Sequence, residues 1–194
     1  MKSIVLLLLI SCRSAPSSYY TLVASAPEQR AAVSDALQLE VLPVDVPPDV
    51  DRAEIVVRES TGHVTPVETR LWISPLKLEI RRAFSDDLTH ELGVRDVANV
   101  TAEQSIPTYR VKLAVQRFES VLDDHALIEA ISTVRQAGGS APALVCSHSA
   151  RQPASRGYDA LAEAHQLALT AIAKQIAAEV KSVTAGAPAC ASAK

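Results

Sequence analysis

The fold of this chain is decided first by residues 74–93, SPLKLEIRRAFSDDLTHELG, where apolar side chains recur at every fourth position. This spacing lays one continuous apolar stripe along an α-helix. Ser74 is a good N-cap residue, Pro75 suits the first helical position, and Gly93 suits the residue that ends a helix. We therefore predict a helix over residues 75–92 that packs through a stripe of Leu76, Ile80, Phe84, Leu88 and Leu92.

Short strands are predicted on the N-terminal side of this helix. Residues 19–23 are aromatic and β-branched, and residues 37–41 alternate apolar with polar side chains. The second strand continues to residue 46, and Pro43 within it implies a sheet edge or a bulge. A further strand over residues 53–58 returns through a hairpin near 62–67. Trp72 lies just before the helix, where its ring could staple the start of the helix to the sheet.

On the C-terminal side, three consecutive strands are predicted to form a meander. The first, residues 109–121, alternates until Arg117, where Phe118 falls on the polar side. A β-bulge at this point would return Phe118 to the core. The other two strands, near 126–134 and 144–148, follow after tight turns.

A second long helix is predicted over residues 158–183, because apolar residues mark one side of it and much of the rest is alanine. Strands combined with two long helices favour an α/β fold, with α+β as the alternative. We expect a single two-layer domain over residues 19–183, in which a mixed, mostly antiparallel sheet is packed by both helices. Residues 184–194 lack periodicity and are predicted to form a flexible tail.

The first twelve residues, MKSIVLLLLISC, have the pattern of a secretory signal that ends at a cysteine. A positive charge precedes the apolar run of residues 4–10, and Ser11 is a small residue at the cleavage position. The segment resembles a bacterial lipoprotein signal, in which the chain is cut before the cysteine and the thiol receives a diacylglycerol. We therefore predict a signal peptide at 1–11 and acylation of Cys12, for example with palmitate, on a tether of residues 12–18.

The three cysteines leave two questions open. Cys12 could instead be an ordinary cysteine at the end of a plain signal or of a ragged N-terminus. Cys146, in a predicted strand, and Cys190, in the tail, could pair in an oxidising compartment, but their spacing does not demand a disulfide.

Composition and charge exclude other classes of protein. The net charge is −3, no run of Lys and Arg occurs, and the aromatic residues are one Trp, four Tyr and two Phe. These features argue against a nucleic-acid partner. The hydrophobic content of 48% is that of a globular domain and is too high for a disordered chain.

Motif analysis identifies no catalytic residue, metal-ligand set or cofactor site. The five histidines show no HExxH spacing, and the chain contains no GxSxG, Walker A, GxGxxG or CxxC motif. Asp86 and His90, one helical turn apart, are better explained as an exposed pair than as metal ligands. Asp123, Asp124 and His125 are better explained as a turn. The absence of these motifs does not disprove catalysis, but it leaves no residue to name as a catalyst. We expect no cofactor and no metal.

Several sequence blocks occur in an order that is typical of a known family. After the cysteine of the signal come YYTL at 19–22, VDVP at 44–47, DRAEIVVR at 51–58, RLWISPL at 70–76, QRF at 116–118, and GY at 157–158 before the alanine-rich helix. In this order the blocks resemble the PqiC/YmbA-type lipoproteins, which are auxiliary lipoprotein components of ABC-type transport systems. The resemblance covers nearly the whole mature chain.

The resemblance implies a periplasm-facing lipoprotein at the inner leaflet of the outer membrane of Gram-negative bacteria. It implies a transporter partner with an MCE domain, which bridges the envelope and moves lipids, and a non-catalytic docking role that supports membrane integrity. Arg13 takes the place of the aspartate that typically marks retention in the inner membrane, which favours the outer membrane. A ring-like or tube-like partner is also compatible with a homo-oligomer. The short signal and the extra Cys146 and Cys190 depart from the family.

The resemblance also assigns roles to individual residues. Cys12 is the anchor, and the family's characteristic positions are matched by Tyr19, Tyr20, Trp72 and Pro75. Tyr and Trp bury large areas but also serve in interfaces, and for Trp72 we favour the core because it adjoins the helix. Adjacent residues of a strand face opposite ways, so one of Tyr19 and Tyr20 can be buried while the other contacts a partner.

Two other functions stay open at this point. One is a structural or envelope-assembly lipoprotein unrelated to transport. The other is a secreted hydrolase, which needs a pocket that brings a nucleophile and a base together. Five histidines scattered on the surface would exclude the hydrolase.

Overall fold

The computed structural model describes residues 15–24 and 34–191, which form seven strands and two helices. The strands are β1 (Ser18–Tyr20), β2 (Gln38–Val41), β3 (Glu54–Ser60), β4 (His63–Trp72), β5 (Thr108–Val121), β6 (His125–Gln136) and β7 (Leu144–Pro153). The helices are α1 (Leu76–Leu92) and α2 (Tyr158–Thr184). The predicted signal peptide and Cys12 lie outside the described residues. Neither of the described helices is long and apolar enough to cross a membrane.

The strands form two sheets, where the sequence pattern predicts one. Three strands pair in the order β1-β4-β3, and the remaining four pair in the order β2-β5-β6-β7. β1 runs parallel to β4 and β2 runs parallel to β5, whereas the other pairs are antiparallel. The mixed sheets and the two long helices confirm the predicted α/β class.

A bulge in β5 lies where the two sheets meet. The register of β5 with β6 shifts between Val115 and Arg117, and Phe118 is buried beyond the shift, which confirms the predicted bulge. A bulge bends a strand and increases its twist. Past the bulge β3 meets β5 through the Arg58–Glu119 ion pair without joining its ladder.

Several strand boundaries differ from the predicted ones. β1 ends at Tyr20 instead of residue 23, and β7 extends to Pro153 instead of residue 148. β2 ends at Val41 instead of residue 46, because the following Pro43 has no N–H to donate to a ladder. β4 extends to Trp72 instead of residue 67, because its last residues gain a parallel partner in β1. Long-range pairing therefore decides where β4 ends, whereas a neighbouring proline ends β2.

Helix α1 confirms the predicted apolar stripe and corrects the predicted N-terminus. The core-facing members of the stripe are fully buried: Leu76, Ile80, Phe84 and Leu88. Pro75, not Ser74, is the N-cap residue, and no side chain caps the helix. Ser74 does not cap because its hydroxyl donates to the Glu79 carboxylate instead. Gly93 ends the helix in the left-handed conformation, with a φ of 65°.

Helix α2 packs against β6 and β7 and against α1, so the core lies between the helix pair and the four-stranded sheet. Its apolar side is fully buried at Leu161, Ile172, Ile176 and Val180. Thr170 of α2 donates to the Asp87 carboxylate of α1 at 2.8 Å. Burial raises the pKa of the Asp87 carboxyl, and the Thr170 hydrogen bond opposes part of that rise.

The segment after α2 is attached to the four-stranded sheet. A disulfide joins Cys146 of β7 to Cys190, with the Cα atoms 5.6 Å apart. The Ala189 N–H donates to the Ser182 hydroxyl at 3.0 Å, and the Ala191 N–H donates to the Glu179 carboxylate at 3.4 Å. The pairing that the cysteine spacing leaves open is therefore formed, and the predicted flexible tail is held as far as Ala191.

Candidate functional site

Strand β1 connects the predicted tether to the folded body. Ser18–Tyr20 pairs in parallel with residues 70–72 of β4, and the Ile73 N–H extends the ladder by donating to the Tyr20 carbonyl at 2.8 Å. Tyr19 is 61% exposed, whereas Tyr20 is half-buried. The two side chains therefore differ in burial, as the predicted opposite orientation requires. Tyr19 is the exposed one, and its ring is accessible to another surface.

Tyr20 and Arg70 both contact Tyr158, the first residue of α2. The Tyr20 and Tyr158 rings lie 6.3 Å apart, and the Arg70 guanidinium carbon lies 5.3 Å from the Tyr158 ring centroid, in a cation–π geometry. Arg70 also donates to the Ser18 hydroxyl at 3.5 Å. The first strand is thus fixed to the second helix as well as to β4.

Glu79 fixes the residues that follow β1. Its carboxylate, fully buried at the start of α1, accepts hydrogen bonds from the Thr21 hydroxyl at 2.7 Å and the Leu22 N–H at 3.0 Å. The Ser74 hydroxyl is its third donor. A buried carboxylate needs such donors to offset its desolvation. Sequence reasoning missed Glu79, because the helical pattern places it among ordinary polar positions. Two of its three donors, on Thr21 and Leu22, are 58 and 57 residues away in the chain.

Trp72 lies in the core, as its position next to the helix predicts. It is buried, and its ring meets the Phe118 and His165 rings edge-on at centroid distances of 6.1 and 6.2 Å. The Pro75 carbonyl accepts the first hydrogen bonds of α1, from the N–H groups of Leu78 and Glu79. Both family positions therefore have a structural role here, and partner binding by either of them stays a prediction.

His165 is a buried, neutral histidine on the side of α2 that the sequence pattern marks as apolar. Its ring stacks on Phe118 at 4.0 Å, and its Nε2 lies 2.8 Å from the Ser120 hydroxyl. Burial, helped by the nearby His125, lowers the pKa of His165 to about 3. Its Nδ1 has no hydrogen-bond partner among the described residues.

A second serine–histidine pair lies between β6 and β7. His148 Nε2 is 2.8 Å from the Ser132 hydroxyl, which donates to the Glu179 carboxylate at 2.9 Å, and His148 Nδ1 is 2.9 Å from the Gln175 amide oxygen. No serine or histidine in the two pairs is more than 4% exposed. The pairs have the contacts of a nucleophile and a base, but the two serine hydroxyls are covered, so the arrangement serves packing.

The other histidines do not form a site. His90 and Asp86 are exposed, and the described residues show no ion pair between them. His125 lies next to the Glu119 carboxylate, with 3.4 Å between His125 Nε2 and the carboxylate. Burial by itself would raise the pKa of Glu119, but the Arg58 hydrogen bond and the charges of Arg117 and Arg58 hold it below its ordinary value. Three of the five histidines are buried, so the structure does not have the surface scatter of all five histidines that would by itself exclude a hydrolase.

One group of metal-ligating atoms occurs within the described ranges. The sulfur atoms of Cys146 and Cys190 and a Glu179 oxygen lie within 4.8 Å of one another. Because the two sulfurs are joined in the disulfide, they are not available as thiolate ligands.

A cavity of about 870 Å³ lies beside α1 and is lined by Asp86, Asp87 and His90 together with apolar side chains such as Val97 and Ile106. Ala24 and Ser34 also line it, and the chain between those two residues lies outside the described ranges. We therefore assign no ligand to this cavity.

Comparison with known proteins places the fold and the family. A crystal structure of an uncharacterised protein is 20% identical, with a TM-score of 0.67 over 86% of this chain and 99% of that one. A crystal structure of a Xanthomonas campestris protein is also 20% identical, with a TM-score of 0.59 over 83% of this chain and 93% of that one. At this identity both show the fold alone, and no curated protein matches the chain. Residues 20–177 match the family described as ABC-type transport auxiliary lipoprotein component, and the chain belongs to that family.

Proposed function

We propose that the chain is acylated on Cys12 and anchored by its lipid to the periplasmic face of the outer membrane. There it docks an MCE-domain subunit of an ABC-type system that moves lipids across the envelope, and thereby supports membrane integrity. Membership of the auxiliary lipoprotein family supports the transport role. Cys12 at the end of an apolar run supports the anchor.

The observation that carries the proposal is the way in which β1 is held. β1 begins six residues after Cys12, is paired with β4, and is followed at once by the Thr21 and Leu22 hydrogen bonds to Glu79. Gln166 of α2 also donates to the Thr21 carbonyl at 2.9 Å. A force on the anchor therefore reaches both helices, which suits a component that holds a large partner against a membrane.

The buried serine–histidine pairs support docking over hydrolysis. A hydrolase needs a nucleophile that a substrate can reach, and the hydroxyls of Ser120 and Ser132 are both buried. The neutral, desolvated His165 packs against aromatic rings instead of facing a pocket.

Mass spectrometry of the membrane-extracted protein tests the anchor. We expect an acylated N-terminal Cys12 in the native protein and release from the membrane fraction in Cys12→Ala. Ser17→Ala, a change in the exposed part of the tether, is the matched control and should stay membrane-bound. An unmodified Met1 or a bare Cys12 would contradict the proposal.

Photo-crosslinking in intact cells tests the partner. A photoreactive residue is placed at exposed apolar positions of the two sheets, such as Val64 and Val145, and captured proteins are identified. We expect an MCE-domain protein, and we expect Cys12→Ala to abolish its capture and to weaken the outer-membrane barrier. Capture of envelope-assembly proteins alone would favour a lipoprotein that is unrelated to transport.

A further inference from the structure

We propose that the side chains of Tyr19, Leu71 and Ile73 form a patch, here called the β1 patch, that lies on the lipid leaflet in which Cys12 is anchored. This inference rests on the proposed acylation and names the surface that the exposed Tyr19 meets. The occupant is a lipid surface; a protein partner at the same place is an outcome that the test below separates.

The pairing of β1 with β4 assembles the patch. Tyr19 lies directly opposite Leu71 in the parallel register, so their side chains share one face of the three-stranded sheet. Ile73 is two residues beyond Leu71, and the intervening Trp72 points into the core. Tyr19 and Ile73 are 61% and 60% exposed, and Leu71 is half-buried. These apolar side chains come from separate parts of the chain and meet only in the fold.

The distance along the chain keeps the β1 patch near the leaflet. Tyr19 follows Cys12 by seven residues. Even a fully extended chain spans only about 3.5 Å per residue, so Tyr19 stays within about 25 Å of the anchored sulfur. Because β1 is held by β4 and by Glu79, the patch cannot turn away from the anchor independently of the body.

The size of the β1 patch fits a tethered lipid contact better than a protein interface. Its three side chains expose on the order of 300 Å², whereas a stable interface buries about 800 Å² on each partner. A tether supplies a high effective concentration, so a small contact is enough to orient the body. Tyr and Ile are suited to the membrane interface, where an aromatic ring lies at the level of the headgroups.

The test attaches the protein to vesicles without the cell's own acylation. The disulfide uses Cys146 and Cys190, so Cys12 is the free thiol of the mature chain. The chain from Cys12 onward, which contains every described residue, is coupled through this thiol to phosphatidylcholine vesicles that carry a maleimide lipid. Tyr19→Trp and Ile73→Trp report lipid contact through quenching by brominated phosphatidylcholine. Val145→Trp, at a position 58% exposed on β7, is the matched control, and all variants share the buried Trp72.

We expect quenching in Tyr19→Trp and Ile73→Trp to exceed that in Val145→Trp by at least about twofold, because an indole at the interface lies within reach of the bromines. Equal quenching in the three variants would overturn the inference. So would capture of a protein instead of lipid by a photoreactive residue at position 19 in cells. If Cys12 is acylated in cells and quenching is absent, only the β1 patch is wrong; if Cys12 is unmodified, the proposed anchor is wrong.

Discussion

The two ends of the described body are held by different kinds of bond. At the N-terminal end, β1 and the residues after it are held by a strand ladder and by the Glu79 carboxylate. At the C-terminal end, the segment after α2 is held by the Cys146–Cys190 disulfide and a few hydrogen bonds. The first arrangement depends on burial and the second on the redox state. The comparison teaches that the end nearest the predicted anchor is secured without any covalent cross-link.

The largest effect is expected from opening the disulfide. The Cys146–Cys190 disulfide closes a loop between cysteines that are 44 residues apart in the sequence. In the chain-entropy description, a loop of this length stabilises the folded state by about 4 kcal/mol. Cys190→Ser, or reduction of the native protein, should lower the free energy of unfolding in urea by that order. Reductant should have no further effect on the stability of Cys190→Ser. An unchanged free energy of unfolding after reduction of the native protein would show that the disulfide does not stabilise the fold.

The next effect is expected from Glu79→Ala. The substitution leaves the buried Leu22 N–H and the Thr21 and Ser74 hydroxyls without their acceptor. Buried donors that lose their partners cost about 1–3 kcal/mol each, so a loss of about 3 kcal/mol is expected in urea unfolding. Glu91→Ala, at an exposed position of the same helix, is the control and should stay within about 0.5 kcal/mol of the native protein. A loss in Glu79→Ala no larger than in this control would refute the role given to the carboxylate.

A smaller effect is expected on acidification, through His165. Its pKa is about 3 in the folded protein and near 6.5 when unfolded. The unfolded chain therefore binds the proton first, so this contribution is intact above pH 6.5 and is lost as the pH falls toward 3. At pH 5 the loss is about 2 kcal/mol. His165→Phe should flatten the dependence of stability on pH between 7 and 5, and an unchanged slope would mean that other groups cause it.

The smallest effect is expected from Tyr19. Tyr19→Ser removes an exposed ring and should change the free energy of unfolding by less than about 0.5 kcal/mol. Tyr20→Ser removes the half-buried ring that contacts Tyr158 and should cost about 1 kcal/mol. Thermal unfolding of the two variants measures the difference. Equal losses would mean that both rings are part of the packed junction and that Tyr19 is not free.

Local patterns predicted much of the fold. The four-residue spacing of the α1 stripe, the change of phase before Phe118 and the alanine-rich last helix each depend on neighbours within a few residues. The candidate site was predicted less fully. The family positions point to Tyr19, Tyr20 and Trp72. The predicted Ser74 cap is wrong, because the local pattern does not show that its acceptor, Glu79, is buried.

The sequence by itself determined the periodic elements, the α/β class and the family, since these depend on residue spacing and on the order of short blocks. Only the tertiary structure decided the division into two sheets, the burial of Glu79, the contact of His165 with Ser120, and the pairing of Cys146 with Cys190. The physical reason is sequence distance. Thr21 donates to Glu79 from 58 residues away in the chain, and Ser120 contacts His165 from 45 residues away. A local sequence pattern does not show which polar groups that are distant in the chain will be buried together.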